Sequence, residues 1–177
     1  VGSFTLLMRY RLRIRQKDSK TSNEDGTQYT ALTNRNEHRS RFAIMFNNGK
    51  WTTKTQADFA CTATPDKSTG WMLSQTGGYR HKSVSANANI NYFRTHDYNS
   101  RLYAYERGML YDFSFPMFYG HGMRFSLCAQ CGITKNLTFT AKAGTTKYFD
   151  RDHISSSYQE IDGSAMTDIE MQLKWKF

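Results

Sequence analysis

The octapeptide DRDHISSS, residues 150–157, gathers Asp150, Asp152, His153, Ser155 and Ser156 in one short polar segment. By type these supply a nucleophile, a base and an orienting carboxylate, which is what a hydrolytic site at the rim of a larger scaffold needs. Neighbours in one loop seldom hold the fixed geometry of a triad, and a polar loop has this composition anyway. No catalytic residue is therefore assigned, and the rim hydrolase stays a secondary reading. Cys128 and Cys131 form a C-x-x-C, the spacing of redox and metal sites. The surrounding MRFSLCAQCGI alternates apolar and polar residues like a strand, and positions three apart in a strand point to opposite faces. Two small packed side chains are the simpler expectation, and Cys61 stands alone in another alternating stretch. His38, His81, His96 and His121 are scattered without metal-ligand spacing, so neither a metal nor a cofactor is expected.

The strongest chemical pattern is cationic. In MRYRLRIRQK, Arg9, Arg11, Arg13 and Arg15 alternate with Met8, Tyr10, Leu12 and Ile14, and HRSRFAIMF repeats the arrangement with Arg39 and Arg41. A helix, with its period of 3.6, would smear both sets around its circumference; a strand separates them onto two faces. Such a row can select anions, hold an internal plug, or be neutralised by carboxylates that keep a small barrel rigid and filled. Over the 177 residues, 24 Lys+Arg stand against 15 Asp+Glu, a formal net charge of +9. That excess suits nucleic acid, an anionic surface or acidic ligands. Nucleic acid is not the expected partner, because these guanidiniums sit on a strand whose other face is apolar rather than along an open groove.

The alternation recurs along the chain. It continues in WTTKTQADFAC, GWMLSQTGGY, SVSANANINY, MRFSLCAQCGI, the stretch from Leu137 to Tyr148, and DIEMQLKWKF. Short strands are also expected at Leu102 to Glu106 and Leu110 to Phe115, reversing near Arg107 and Gly108. The pattern predicts about ten antiparallel strands in one domain and no helix. Asn48-Gly49 is a strong hairpin signal. The connections alternate in length. Short reversals fall at Asn48, His81, Gly108 and Lys135. Long connections are expected at 18–37, 64–69, 95–100, 116–122 and 149–166.

Long loops at one end and short turns at the other are the habit of outer-membrane barrels. Three further features favour a membrane barrel over a soluble barrel or sandwich. Trp51, Tyr79 and Trp175 at the short-turn end, with Trp71, Tyr92 and Tyr148 at the long-loop end, suit interfacial girdles. The first strand alternates for about twelve residues, enough to cross a bilayer when tilted. Trp175 and Phe177 finish an amphipathic strand on aromatics, the ending used as a barrel signal. No run of apolar residues is long enough for a transmembrane helix. The opening VGSFTLL carries neither an initiator Met nor a signal sequence, which fits either a removed leader or a start partway through a longer protein.

The segments LYAYERGMLYDFSFPMFYGHGMRFSL and KYFDRDHISSSYQEIDGSAMTDIEMQLKWKF resemble the closing part of large Bacteroidetes outer-membrane proteins. Those proteins are known mainly for a helix-hairpin-helix domain ahead of the barrel. The resemblance rests on the Tyr-Phe-Asp at 148–150, the Ile-Ser-Ser at 154–156, the Gln-Glu-Ile-x-Gly at 159–163 and the final Lys-Trp-Lys-Phe, and extends more loosely upstream. It implies a barrel fold and an outer-membrane location, and no catalytic residues. No helix-hairpin-helix pattern occurs in this sequence, so no DNA-related role carries over.

The expectation is thus an all-β, antiparallel transmembrane barrel, or the C-terminal part of a larger one. It would act as a membrane-embedded scaffold or narrow pore, within an envelope complex or alone, with anion transport as the alternative. Its partners would be the lipid bilayer and lipopolysaccharide, the barrel-assembly machinery during insertion, and other envelope proteins. The Arg row would line the lumen. Were the first and last strands to meet, Asp168 and Glu170 would lie near that row as counter-charges.

Overall fold

The computed structural model describes residues 2–22, 25–63, 67–112, 115–155 and 160–177. In chain order the strands are β1 (Ser3–Ser22), β2 (Gln28–Asn47), β3 (Trp51–Ala63), β4 (Lys67–His81), β5 (Val84–Thr95), β6 (Leu102–Tyr103), β7 (Met117–Phe118), β8 (His121–Gly132), β9 (Leu137–Tyr148), β10 (His153–Ile154), β11 (Ile161–Asp162) and β12 (Ala165–Trp175). Eight of them form one antiparallel sheet in the order β1-β2-β3-β4-β5-β8-β9-β12, while β6 pairs with β7 and β10 with β11. The chain is all-β, as its period-2 patterning requires. Among the described residues no ladder joins the outermost strands β1 and β12.

Short turns connect the strands at one end through local chemistry. Asn48 Oδ1 accepts from the amides of Lys50 (3.2 Å) and Trp51 (2.7 Å), and Gly49 takes φ 85°, a conformation that favours glycine. At the β8–β9 turn, Thr134 Oγ1 accepts from the amide of Leu137 at 3.0 Å.

Three expectations change. The long connection read at 18–37 is mostly strand, because β1 and β2 stay paired out to Ser22 opposite Gln28. This hairpin runs past the end of β3, whose last residue, Ala63, pairs with Asn36, and no apolar–polar contrast marks it in the sequence. The connection read at 64–69 is also shorter, with β4 already formed from Lys67; residues 64–66 lie outside the described set. The strand pair read between Leu102 and Phe115 does not enter the main sheet. Pairing there stops at Leu102–Tyr103, and Tyr111 takes φ 69°; Phe113 and Ser114 lie outside the described residues. The alternation was real but belonged to an extended segment lying on the sheet, with Leu102, Ala104 and Glu106 all buried (3%, 3% and 1% exposed). Eight long strands rather than about ten follow, and losing two leaves the same ends for the long and short connections.

The two faces of the sheet are inverted relative to a water-soluble sandwich. On one face Arg35, Glu37, Asp58, Asn89, Arg124 and Lys142 are buried. On the other, Phe42, Ile44, Phe59, Leu73, Ile90, Phe125 and Leu127 are exposed on interior strands as well as edges. The polar face carries one apolar cluster near the long-loop end, where Met72, Phe93, Leu102, Ala104, Phe118 and Tyr148 meet. Phe93 stacks on Phe118 with ring centres 4.7 Å apart and meets Tyr148 edge-on at 5.8 Å. Tyr148 was expected in the girdle of the apolar face; its register opposite Gly122 turns it to the polar face instead. Trp51–Tyr79 and Trp71–Tyr92 do pair on the apolar face, at 4.6 and 5.5 Å.

Candidate functional site

The polar face is organised by two groups of charges. The first lies under the excursion between β5 and β8. Arg124, on β8, donates to Glu106 through Nε (2.7 Å) and Nη2 (3.0 Å), and to Asp168 through Nη1 (2.8 Å) and Nη2 (3.2 Å). Both carboxylates are therefore engaged by two donors, the strong planar form of such pairs. Lys142 Nζ lies 3.6 Å from Glu106 Oε2. Gly144 faces Asp168 across the β9–β12 ladder, and a Cβ there would overlap the Arg124 guanidinium. Glycine is needed at that point for the close approach. Two cations and two carboxylates balance, and Glu106 ties the extended segment to the sheet.

The second group is the arginine row. Arg9 faces Arg41, Arg11 faces Arg39, Arg13 faces Glu37 and Arg15 faces Arg35, all on the polar face as their parity demands. Glu37 is shared by Arg15 (2.7 Å) and Arg35 (2.9 Å), and Asp58 takes Arg41 at 2.6 Å. Asp168 goes to Arg124 rather than to this row, and Glu170 faces Lys142 in register. The counter-charges are thus Glu37 and Asp58. Both share the parity of their cationic neighbours and could have been read from it. Glu106 was legible only as the lone carboxylate in an otherwise apolar row. Arg9, Arg11, Arg13 and Arg39 have no ion-pair partner among the described residues. Trp175 and Phe177 are exposed, their rings stacked at 5.7 Å.

The excursion is fastened at the long-loop end by Asp97, which caps the 3-10 turn Tyr98–Ser100. Burial on its own raises the Asp97 carboxyl, but donors from the Ser68 hydroxyl, the Asn99 side chain and the amides of Asn99 and Ser100 outweigh it and hold the group below its usual range. A depressed carboxyl stabilises the fold above its unfolded value and loses that contribution as pH falls through the folded one. The cap is therefore expected to hold down to the ordinary aspartate value of 3.8 and to loosen below it. Asp97→Ala is expected to cost about 1 kcal/mol at neutral pH. Exchange rates of the Asn99 and Ser100 amides against pH check both points.

The DRDHISSS segment does not assemble a triad. Asp150 accepts from Arg151 Nε at 3.0 Å and from the His121 amide at 2.9 Å. Burial alone would raise its carboxyl, but these donors hold it below its usual range. His153 Nδ1 sits 3.4 Å from Asp162 and 3.5 Å from Glu160, well exposed. Ser155 has φ 68°, and Ser156 lies outside the described residues. Among the described residues no serine or cysteine hydrogen-bonds a histidine. Cys128 is buried and Cys131 exposed, on opposite faces of β8, which separates the C-x-x-C. No group of metal-ligating side chains occurs among the described residues, and no described helix is long and apolar enough to cross a membrane, a finding that does not bear on strands.

No family model, no curated protein and no solved structure matches this chain.

Proposed function

We propose that this chain forms the wall of an outer-membrane β-barrel and acts as a membrane-embedded scaffold or narrow pore, its lumen obstructed by the segment that Glu106 anchors. The carrying observation is the inversion of the two faces, with exposed Phe, Leu and Ile on interior strands behind a face that buries Arg124, Lys142 and Glu106. Large contiguous apolar surfaces mark contact with a membrane or a partner, and a barrel strand alternates apolar-out with polar-in. Aromatic pairs toward both ends of the apolar face, Trp51–Tyr79 and Trp71–Tyr92, fit the two interfaces. In hydrocarbon every backbone polar group needs a partner. Residence in a bilayer therefore requires the edges of β1 and β12 to be paired, with each other or with further strands. Lipopolysaccharide and the barrel-assembly machinery are the partners this reading entails.

Heat-modifiable gel mobility of the chain refolded into detergent or lipid tests it. A compact band that shifts on boiling is the expected result, and it would also mean that these strands close by themselves. Aggregation without a shift would point to a need for further strands. A stable monomeric fold in plain buffer would sink the membrane reading.

A further inference from the structure

The first hairpin sets guanidiniums against each other. Arg9 directly faces Arg41 and Arg11 faces Arg39 on one side of the ladder, although like charges at facing positions destabilise an antiparallel pair. Among the described residues, only Arg41 of these four has a carboxylate, Asp58 at 2.6 Å. The other Asp58 oxygen already accepts from Gln56 at 2.5 Å. Glu37, the next carboxylate along β2, is held by Arg15 and Arg35. The Nε of Arg39 is buried with no hydrogen-bond partner; Glu37 offsets its charge in part, while Arg11 and Arg101 add positive charge around it.

The four arginines line a half-open cleft of about 170 Å³, together with Asp58 and with Tyr103 of the excursion. A cleft of that size suits one small, multiply charged group. Guanidinium forks match the oxygens of phosphate in paired geometry, which a chloride ion cannot exploit.

We propose that this cleft binds a phosphate-class anion between Arg9, Arg11, Arg39 and Arg41. The site goes beyond the membrane reading, because it lies on the face that acyl chains would not touch; it can fail while the barrel stands, and the reverse. A soluble phosphate and the phosphomonoester of a lipid headgroup share the required chemistry.

The test is calorimetric titration of the refolded chain, in phosphate-free detergent, with inorganic phosphate and pyrophosphate, against sodium chloride at matched ionic strength. Saturable binding near one equivalent per chain is expected. Arg11→Gln and Arg39→Gln should weaken it at least tenfold, and the charge-preserving Arg11→Lys by less. Arg11→Gln should also raise the unfolding midpoint without phosphate, since a repulsive pair is gone, and should lose the further rise that phosphate gives the parent chain. These opposite signs separate a binding site from a merely structural arginine. Competition by phosphatidic acid vesicles would assign the site to a lipid headgroup, and its absence to a soluble phosphate; both support the site. No saturable heat, an effect reproduced by sodium chloride, or equal binding by Arg11→Gln would overturn it.

Discussion

Glu106→Ala is expected to cost the folded chain about 3–5 kcal/mol and to release the segment that Glu106 anchors. The carboxylate is 1% exposed and takes Arg124 through two hydrogen bonds, with Lys142 behind it at 3.6 Å. Its removal strips counter-charge from two buried cations, and most of the cost is that uncompensated charge rather than the intrinsic strength of the pair. Glu106→Gln keeps the shape while losing the charge, so it should fall less far. Adding Lys142→Met to Glu106→Gln restores the balance of one cation, Arg124, against one carboxylate, Asp168, and should recover part of the loss. Urea midpoints of the three variants order these effects. An unchanged midpoint in Glu106→Ala would mean that the cluster does not anchor the segment. Under the barrel reading the same variant should raise single-channel conductance, because the released segment no longer crosses the lumen.

That cluster shows where the sequence was readable and where it stopped. Strand faces follow from period 2, so the placement of Arg9 to Arg15 opposite Phe4 to Ile14 needed no tertiary information. The Asn48-Gly49 hairpin was equally local. What failed were features that depend on partners distant in the chain. LYAYERG alternates as a strand does, but whether an extended segment joins a sheet or lies across it depends on where its backbone bonds go. Here Pro116 offers no amide, and the Ala104 amide donates to the Pro116 carbonyl at a long 3.3 Å. Tyr148 looked like a girdle residue by type, yet its parity put it with Thr146 and Lys142 on the buried face. Register, not residue type, sets the face. The Arg124 partner of Asp168 was hidden for a related reason: it lies two strands away, on β8, reached over the bare Cα of Gly144.

Leu127→Arg is the substitution that most sharply separates a bilayer from water. Leu127 sits midway along β8, 43% exposed on the apolar face, between Ala88 and Ala143 on the neighbouring strands. Against acyl chains, an arginine near the midplane should cost about 2–4 kcal/mol. In water, an exposed leucine replaced by arginine should change stability by no more than about 0.5 kcal/mol and improve solubility. Gln130→Glu is the control: it lies three residues on, on the polar face, where it lines a cavity together with Arg107 and Lys174. It should be near neutral in either medium, so a general intolerance of charge on β8 would appear in both variants. Unfolding midpoints in lipid vesicles are the measurement. A large loss for Leu127→Arg alone is the result expected of hydrocarbon on that face, since an exposed leucine in water would not produce it. Equal, small effects in both variants would leave the apolar face in water, and its exposed Phe, Leu and Ile would then need a protein partner to cover them.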